Sequence, residues 1–439
     1  MRNKSKVSGP KYDVAMSQSR GRTLSPSQES SEFNLLCSVA RVHPEYSQIA
    51  SALRGKIDWT VLVRLAADHS VRPQLINALQ KLDWVGVPVE TKRSLLDFLR
   101  LHQVRSLFVA GELIRVSDEF TREAIRFATF KGSSLAAGLY GDLAMRECND
   151  IDLIVEEQQI ARAEAVLGSL GYASRFGGSL FRGAFFSYQK QYMFVRENPK
   201  LAIDLHWDFT RTSVPFPLTP DEIWSDLAKV NIGGQAVPTL ERANLALLLA
   251  GHGAKEGWRC LSWVVDFARF IERHRDLDWS DVLDRARRKG CGRSVLVGCR
   301  LAAQLLGTRL GADILRLMEN NVQARRMADA LVGRISNGCP MAALDRDFGD
   351  LELCENWLQK TRAIRKLIIT RTIGDYVSMP LPRPLWRIYH LTRPFRLATK
   401  VIINLGLGGK RGRRRTVFSG TSVPPVQAKA PSRICYWEF

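Results

Sequence analysis

The sequence predicts an α+β protein, with a core of strands and helices set between two helical regions. Three observations carry this reading. Apolar residues recur at three- and four-residue spacing from Phe33 to about Glu123, shorter runs rich in aromatic and β-branched residues begin at Ile125, and helical spacing returns after Leu240. With 439 residues the chain exceeds the usual size of one compact unit, so two or three folded units are expected.

Residues 1–32 have the Ser, Gln, Lys, Arg and Gly content of a disordered arm. Residues 33–123 read as a helical N-terminal domain, carried by Trp59, Leu62, Leu65 and Ala66, by Leu75, Ala78 and Leu79, and by Leu95, Leu96, Phe98 and Leu99. Pro44, Pro73 and Pro88 punctuate it. Residues 124–238 form the mixed core. Ile125–Phe130 reads as a strand, Ser133–Tyr140 as a helix, Ile151–Val155 as a second strand, and Gln158–Leu170 as an amphipathic helix stopped by Gly171. Phe185–Val195 and Leu201–Trp207 supply further strands. Residues 239–369 return to helix, and 370–439 form a basic tail, rich in Pro and aromatic residues and partly disordered.

Charge is concentrated rather than spread. The chain has 64 Lys and Arg against 44 Asp and Glu, and the stretch from Lys360 to Thr416 holds fifteen cations and one acid, Asp375. That stretch therefore supplies fourteen of the twenty net positive charges. Such a tail points to an anionic membrane surface or another polyanion and says little about catalysis. No RNA- or DNA-reading module is legible, so no specific nucleic acid is inferred. The eight cysteines include no C-x-x-C pair, which favours reduced thiols in a cytoplasm. There is no apolar signal segment and no run of the ~20 apolar residues that a spanning helix needs. The expectation is a cytoplasmic protein with any membrane contact peripheral, at the inner face.

The chemistry lies in two segments, Phe130-Lys-Gly-Ser-Ser-Leu135 and Asn149-Asp-Ile-Asp-Leu-Ile-Val155. Side chains alternate along a strand, so Asp150 and Asp152 share one face while Ile151 and Leu153 take the other. Two carboxylates on one face repel unless a cation lies between them, and hard divalent ions prefer oxygen ligands. Asp204, between Ile203 and Leu205, is a third acid in the same setting, with His206 on its face. Three convergent carboxylates suit a two-metal phosphoryl or nucleotidyl transfer, with Asp150, Asp152 and Asp204 as catalytic and metal-holding residues. Lys131, Gly132, Ser133 and Ser134 lie at a strand-to-helix turn, where backbone N–H groups and the helix dipole favour a phosphate. Lys131 and Arg146 offset triphosphate charge. Arg146 is equally suited to an ion pair with Asp142 or Glu147. His206 and His252 are candidates to support the ligands; His206 beside Trp207, and His252 with Asp266, fit packing roles as well.

These motifs resemble the uncharacterised nucleotidyltransferase-like proteins of the polymerase-β nucleotidyltransferase superfamily. The elements that match are Gly132-Ser133, Asp150-Ile151-Asp152 and Asp204. Narrower features are Lys131, Leu139-Tyr140, Arg146, Asp204-Leu205-His206-Trp207, and His252-x-x-Lys255-x-x-Trp258-x-x-Leu261 with Asp266. The likeness covers roughly Phe33 to Leu306. Ser133-Ser134 and Cys148-Asn149 depart from it, and neither departure touches a metal ligand. The resemblance implies a minimal nucleotidyltransferase core between helical flanks, two Mg²⁺ ions, and a nucleoside triphosphate, with ATP the expected donor. The acceptor is open among small molecules, peptides and saccharides. A scaffold that binds a nucleotide or a partner without turnover, and a related phosphotransferase, are the alternatives.

Overall fold

Among the described residues, five helices precede the first strand: α1 (Ser31–Ala40), α2 (Tyr46–Leu53), α3 (Trp59–Asp68), α4 (Arg72–Lys81) and α5 (Val89–Arg122). The computed structural model describes residues 30–175, 183–184, 186–188, 190–209, 216–336 and 351–408. Side-chain caps start two of the helices: Ser30 accepts from the Phe33 amide and Asp58 from the Val61 amide. The apolar spacing read from sequence is the buried stripe, for example Leu62, Leu65 and Ala66 on α3.

The α+β core is a seven-stranded mixed sheet. Its strands are β1 (Phe127–Thr129), β2 (Asp150–Val155), β3 (Ala173–Ser174), β4 (Gln191–Glu197), β5 (Lys200–His206), β6 (Leu227–Ile232) and β7 (Gln235–Leu240), in the order β3-β4-β5-β2-β1-β7-β6. The central pair β2 and β5 runs parallel and sets Asp152 beside Asp204. On one face, Ile151, Leu153, Ile203 and Leu205 pack with Val109, Leu113 and Phe120 of α5. That leaves Asp150, Asp152, Asp204 and His206 for the other face.

Three details differ from the sequence reading. The helix expected over Ser133–Tyr140 is a single turn, Ser133–Leu135, that widens into a π-turn over Ala136–Tyr140. The strand expected over Phe185–Val195 begins only at Gln191, and residues 183–184 and 186–188 are helical. There Phe186 stacks on Trp207 at 5.0 Å and Tyr188 meets Trp386 at 5.2 Å, so tertiary packing outweighs the aromatic content that favoured a strand. The hairpin of β6 and β7 was not foreseen. It turns on Gly233 and Gly234, both at positive φ (57° and 90°).

Helices α6 (Ser133–Leu135), α7 (Ile160–Ser169) and α8 (Pro220–Ser225) lie among the strands, and after the sheet come α9 (Arg242–Lys255), α10 (Leu261–Arg273), α11 (Trp279–Arg288), α12 (Gly292–Leu306), α13 (Ala312–Asn320), α14 (Val322–Ser336), α15 (Trp357–Ile369), α16 (Ile373–Ser378) and α17 (Tyr389–Gly408). One apolar core joins the N-terminal helices to this second set: Leu36, Leu62 and Leu75 are buried together with Leu247, Val264 and Leu301. The start of the tail is helical, and its Tyr376, Trp386 and Tyr389 are buried under the sheet. The arm at 1–29 and the end at 409–439 lie outside the described residues. Among the described residues, no helix is long and apolar enough to cross a membrane.

Trp258 is a wedge between α9 and α12. A Cβ on Gly253 would lie 2.5 Å from its ring, and one on Gly298 would lie 2.7 Å away. Since Trp258 is 1% exposed, the ring has no room to yield. Gly253→Ala is therefore expected to cost about 1–3 kcal/mol, read as a lower urea midpoint at unchanged m-value.

Candidate active site

The polar face of β2 and β5 forms the floor of a cleft of ≈ 730 Å³. Asp150, Asp152, Asp204 and His206 line that floor, Lys131 comes in from the turn after β1, and His252 and Lys255 from α9. Phe209 and Phe216, 5.7 Å apart, form an aromatic edge. Parallel pairing places Asp152 directly beside Asp204, and one ligand atom each from Asp152, Asp204 and His206 lie within 4.8 Å of one another.

Gly132 is the residue this turn requires. Its φ is 58° with ψ −130°, and a Cβ there would sit 3.3 Å from the Asp150 carbonyl oxygen. The turn thus lies close against the start of β2 and brings Lys131 to the carboxylates. Ser134 holds the turn from within, its hydroxyl donating to the Lys131 carbonyl at 2.7 Å. Ser133 is buried as well. Lys131 therefore lines the cleft, while Gly132, Ser133 and Ser134 shape the turn behind it.

Arg146 is placed differently. Its guanidinium meets the Asp266 carboxylate of α10 at 3.0–3.2 Å, and the Tyr140 hydroxyl donates to the same carboxylate at 2.7 Å. Of the partners suggested by sequence, Asp142 instead accepts from the Ala144 amide and Glu147 pairs with Arg72. His252 does not pair with Asp266; its ring stands edge-on to Trp263 at 5.3 Å. Sequence reasoning missed the Tyr140–Arg146–Asp266 cluster and did not assign Lys255, Phe209 or Phe216 to the cleft. Lys255 had a signal in its spacing, three residues beyond His252 on one helix.

The carboxyls are electrically unequal. Burial, then the neighbouring Asp152, pushes Asp150 up to about 6. Burial, then Asp152 and Asp150, pushes Asp204 well above the usual carboxylate range. Burial acts in the same direction on Asp152, but Lys131 and His206 outweigh it and hold that carboxyl below the usual range. Burial, then Lys131 and Lys255, lowers His252 well below its ordinary range, and burial also lowers His206 against the pull of the Asp152 carboxylate, so both are neutral near pH 7. Without a cation, the three acids do not ionise together readily.

A divalent ion fits this donor set. The Asp204 Oδ1 is buried with no hydrogen-bond partner. The His206 Nε2 lies 3.4 Å from Asp152 Oδ1 and also lacks a well-angled bond. Protons and metal compete for the same oxygens, so Mg²⁺ affinity is expected to fall as pH drops through about 6, the region where Asp150 protonates. Calorimetric titrations at acidic and neutral pH check this. The sign for metal-free stability is opposite. A carboxyl raised on folding contributes stability below its unfolded pKa, and that contribution is lost as pH rises through about 6.

A family model described as an uncharacterised nucleotidyltransferase matches residues 55–307, more than half of the chain. The chain belongs to this family. The matched stretch of the nucleotidyltransferase runs from the end of α2 to the end of α12. It contains the three aspartates, Lys131, both histidines and the Arg146–Asp266 pair, and it stops before the basic C-terminal unit. Among solved structures, the chain is similar to that of the antibiotic-resistance factor ANT(2'')-Ia, at 14% identity over 50% of this chain and 94% of that one. The TM-score of 0.25 is too low for this likeness to carry an argument. No curated protein matches the chain. As a nucleotidyltransferase, the protein takes a nucleoside triphosphate and an acceptor, and the acidic cluster is the natural place for the divalent metal such enzymes use.

Proposed function

We propose that the cleft transfers a nucleoside monophosphate from ATP to an acceptor hydroxyl or phosphate, with release of pyrophosphate. The acceptor oxygen bonds to the α-phosphorus as the bond to the bridging oxygen of the departing pyrophosphate breaks. The observation that carries this reading is the pairing of Asp152 with Asp204 in parallel register, with an Asp204 oxygen buried and unpartnered. Asp150, Asp152 and Asp204 would hold two Mg²⁺ ions, which when bound stabilise the attacking and leaving oxygens.

The chain's own residues divide the remaining work. Asp204 takes the proton of the acceptor. Lys131 and Lys255 bring positive charge to the triphosphate from two walls of the cleft. Gly132, Ser133 and Ser134 set the turn that presents Lys131, and Gly132 and Ser133 offer backbone N–H groups to the β- and γ-phosphates. His206, 3.4 Å from Asp152, steadies that carboxylate, and His252 backs the same wall. Arg146 acts on the site through Asp266 and the helical flank. Phe209 and Phe216 screen the reacting atoms from water.

The test is a screen of small-molecule, peptide and saccharide acceptors with ATP and Mg²⁺, following pyrophosphate and ADP together. Pyrophosphate release that is lost in Asp152→Asn supports the reading. Accumulation of ADP in its place assigns phosphoryl transfer instead. Mg–ATP binding that is indifferent to Asp152→Asn, with no turnover, assigns a scaffold.

A further inference from the structure

We propose that residues 357–399 form a docking surface for an anionic lipid bilayer. The inference is independent of the reaction in the cleft, because it rests on a unit outside the matched family region. It starts from the one acid in this stretch. Asp375 is 3% exposed, and its carboxylate takes Arg393 at 2.9 Å, Arg396 at 2.7 Å and the Thr372 amide at 2.7 Å. The only negative charge between 357 and 399 is therefore turned inward and neutralised. Lys360, Arg362, Arg365, Lys366, Arg383 and Arg387 remain exposed, so the charge this unit shows to solvent is positive.

Interleaved with these cations are large apolar side chains that none of the described residues covers. Trp357 is 75% exposed, Leu391 71% and Phe395 76%, with Ile364 and Ile368 also exposed. On α15, Trp357, Ile364 and Ile368 fall on one stripe at helical spacing, flanked on its two sides by Lys360 and Arg365. On α17, Leu391 and Phe395 are four apart and share a face. This is not a segment that lacks a core. Trp386 packs on Tyr188 and Tyr376, and Tyr389 is fully buried, its hydroxyl donating to the Met379 carbonyl at 2.8 Å. The unit is anchored on its inner side and exposes apolar residues on its outer side.

The combination selects the partner. Apolar side chains beside long cationic ones match the boundary between lipid acyl chains and negative headgroups, where Lys and Arg stems extend to the phosphates. A nucleic acid would use the cations but has no apolar slot for the aliphatic residues. A second copy would set like charge against like. No described helix is long and apolar enough to span, so the contact is interfacial.

The experiment is co-sedimentation of the full chain with phosphatidylcholine vesicles, with and without phosphatidylglycerol. Binding is expected only to the anionic vesicles and to weaken with salt. The variant Trp357→Ser/Leu391→Ser/Phe395→Ser should lower partitioning roughly ten-fold or more. Each of Arg362→Gln, Arg365→Gln and Arg387→Gln should lower it by up to roughly five-fold. All six positions are exposed, and an unchanged thermal melt confirms that the fold is kept. Four results would overturn the proposal: equal binding to neutral vesicles; undiminished binding of the serine variant, which would place the contact on Lys410–Arg415; capture of an RNA oligonucleotide in place of vesicles; and a concentration-dependent dimer, abolished by the serine variant, with no vesicle binding.

Discussion

Asp204→Asn is expected to lower pyrophosphate release by about a thousand-fold or more while raising the melting temperature of the metal-free protein. A bound metal is worth several kcal/mol of transition-state charge stabilisation, and about 4 kcal/mol corresponds to that factor. The stability change has the opposite sign because Asp204 is raised well above the usual carboxylate range by burial and by Asp152 and Asp150. A group so raised contributes stability below its unfolded pKa and loses it as pH rises, so at neutral pH keeping an acid at this buried position is a strain on the metal-free fold. The amide removes that strain and keeps the shape. Calorimetric melts with and without Mg²⁺ check both halves: the variant should melt higher than the parent without metal and lose the parent's stabilisation by metal. A variant that melts lower without metal and still turns over would remove Asp204 from the site.

Arg146→Ala is expected to cost about 3–5 kcal/mol of folding stability. The Arg146 and Asp266 side chains are 12% and 3% exposed, and the Tyr140 hydroxyl completes the cluster. Burial works against the guanidinium's charge, but Asp266 more than offsets it and holds Arg146 charged above its ordinary range. Removing Arg146 leaves the buried Asp266 carboxylate with the Tyr140 hydroxyl but without its cation. Arg146→Met/Asp266→Leu should recover much of the loss, because burying an ion pair gains little over apolar packing. Urea denaturation of the two singles and the double measures the coupling. A direct phosphate role for Arg146 predicts another pattern, in which Arg146→Lys raises KM for ATP and leaves the denaturation midpoint unchanged.

The strands that hold the site were legible because a two-residue period is local. Asp150-Ile-Asp152 and Ile203-Asp-Leu205 each announce which side chains share a face. What places Asp152 beside Asp204 is strand register, and no local pattern encodes a contact across 52 residues. The Arg146–Asp266 bond spans 120 residues and was invisible for the same reason. Arg146 was assigned from its charge and from the family resemblance, and a guanidinium fits a phosphate and a carboxylate equally. The hairpin at Gly233-Gly234 is a different kind of omission, since adjacent glycines between apolar runs are a local signal. At residues 186–188, aromatic content suggested a strand, whereas packing on Trp207 and Trp386 sets a helical turn.

The core shared by the N-terminal helices and the helices that follow the sheet has a consequence for how the chain is made. Leu36, Leu62 and Leu75 close against Leu247 and Leu301, which leave the ribosome far later. At synthesis rates of about 5–20 residues per second, the N-terminal helices wait on the order of ten seconds for their partners. During that interval their apolar stripes face water. A chain truncated just after the sheet would make the wait permanent, so it should aggregate or be held by chaperones even though Asp150, Asp152 and Asp204 are all present.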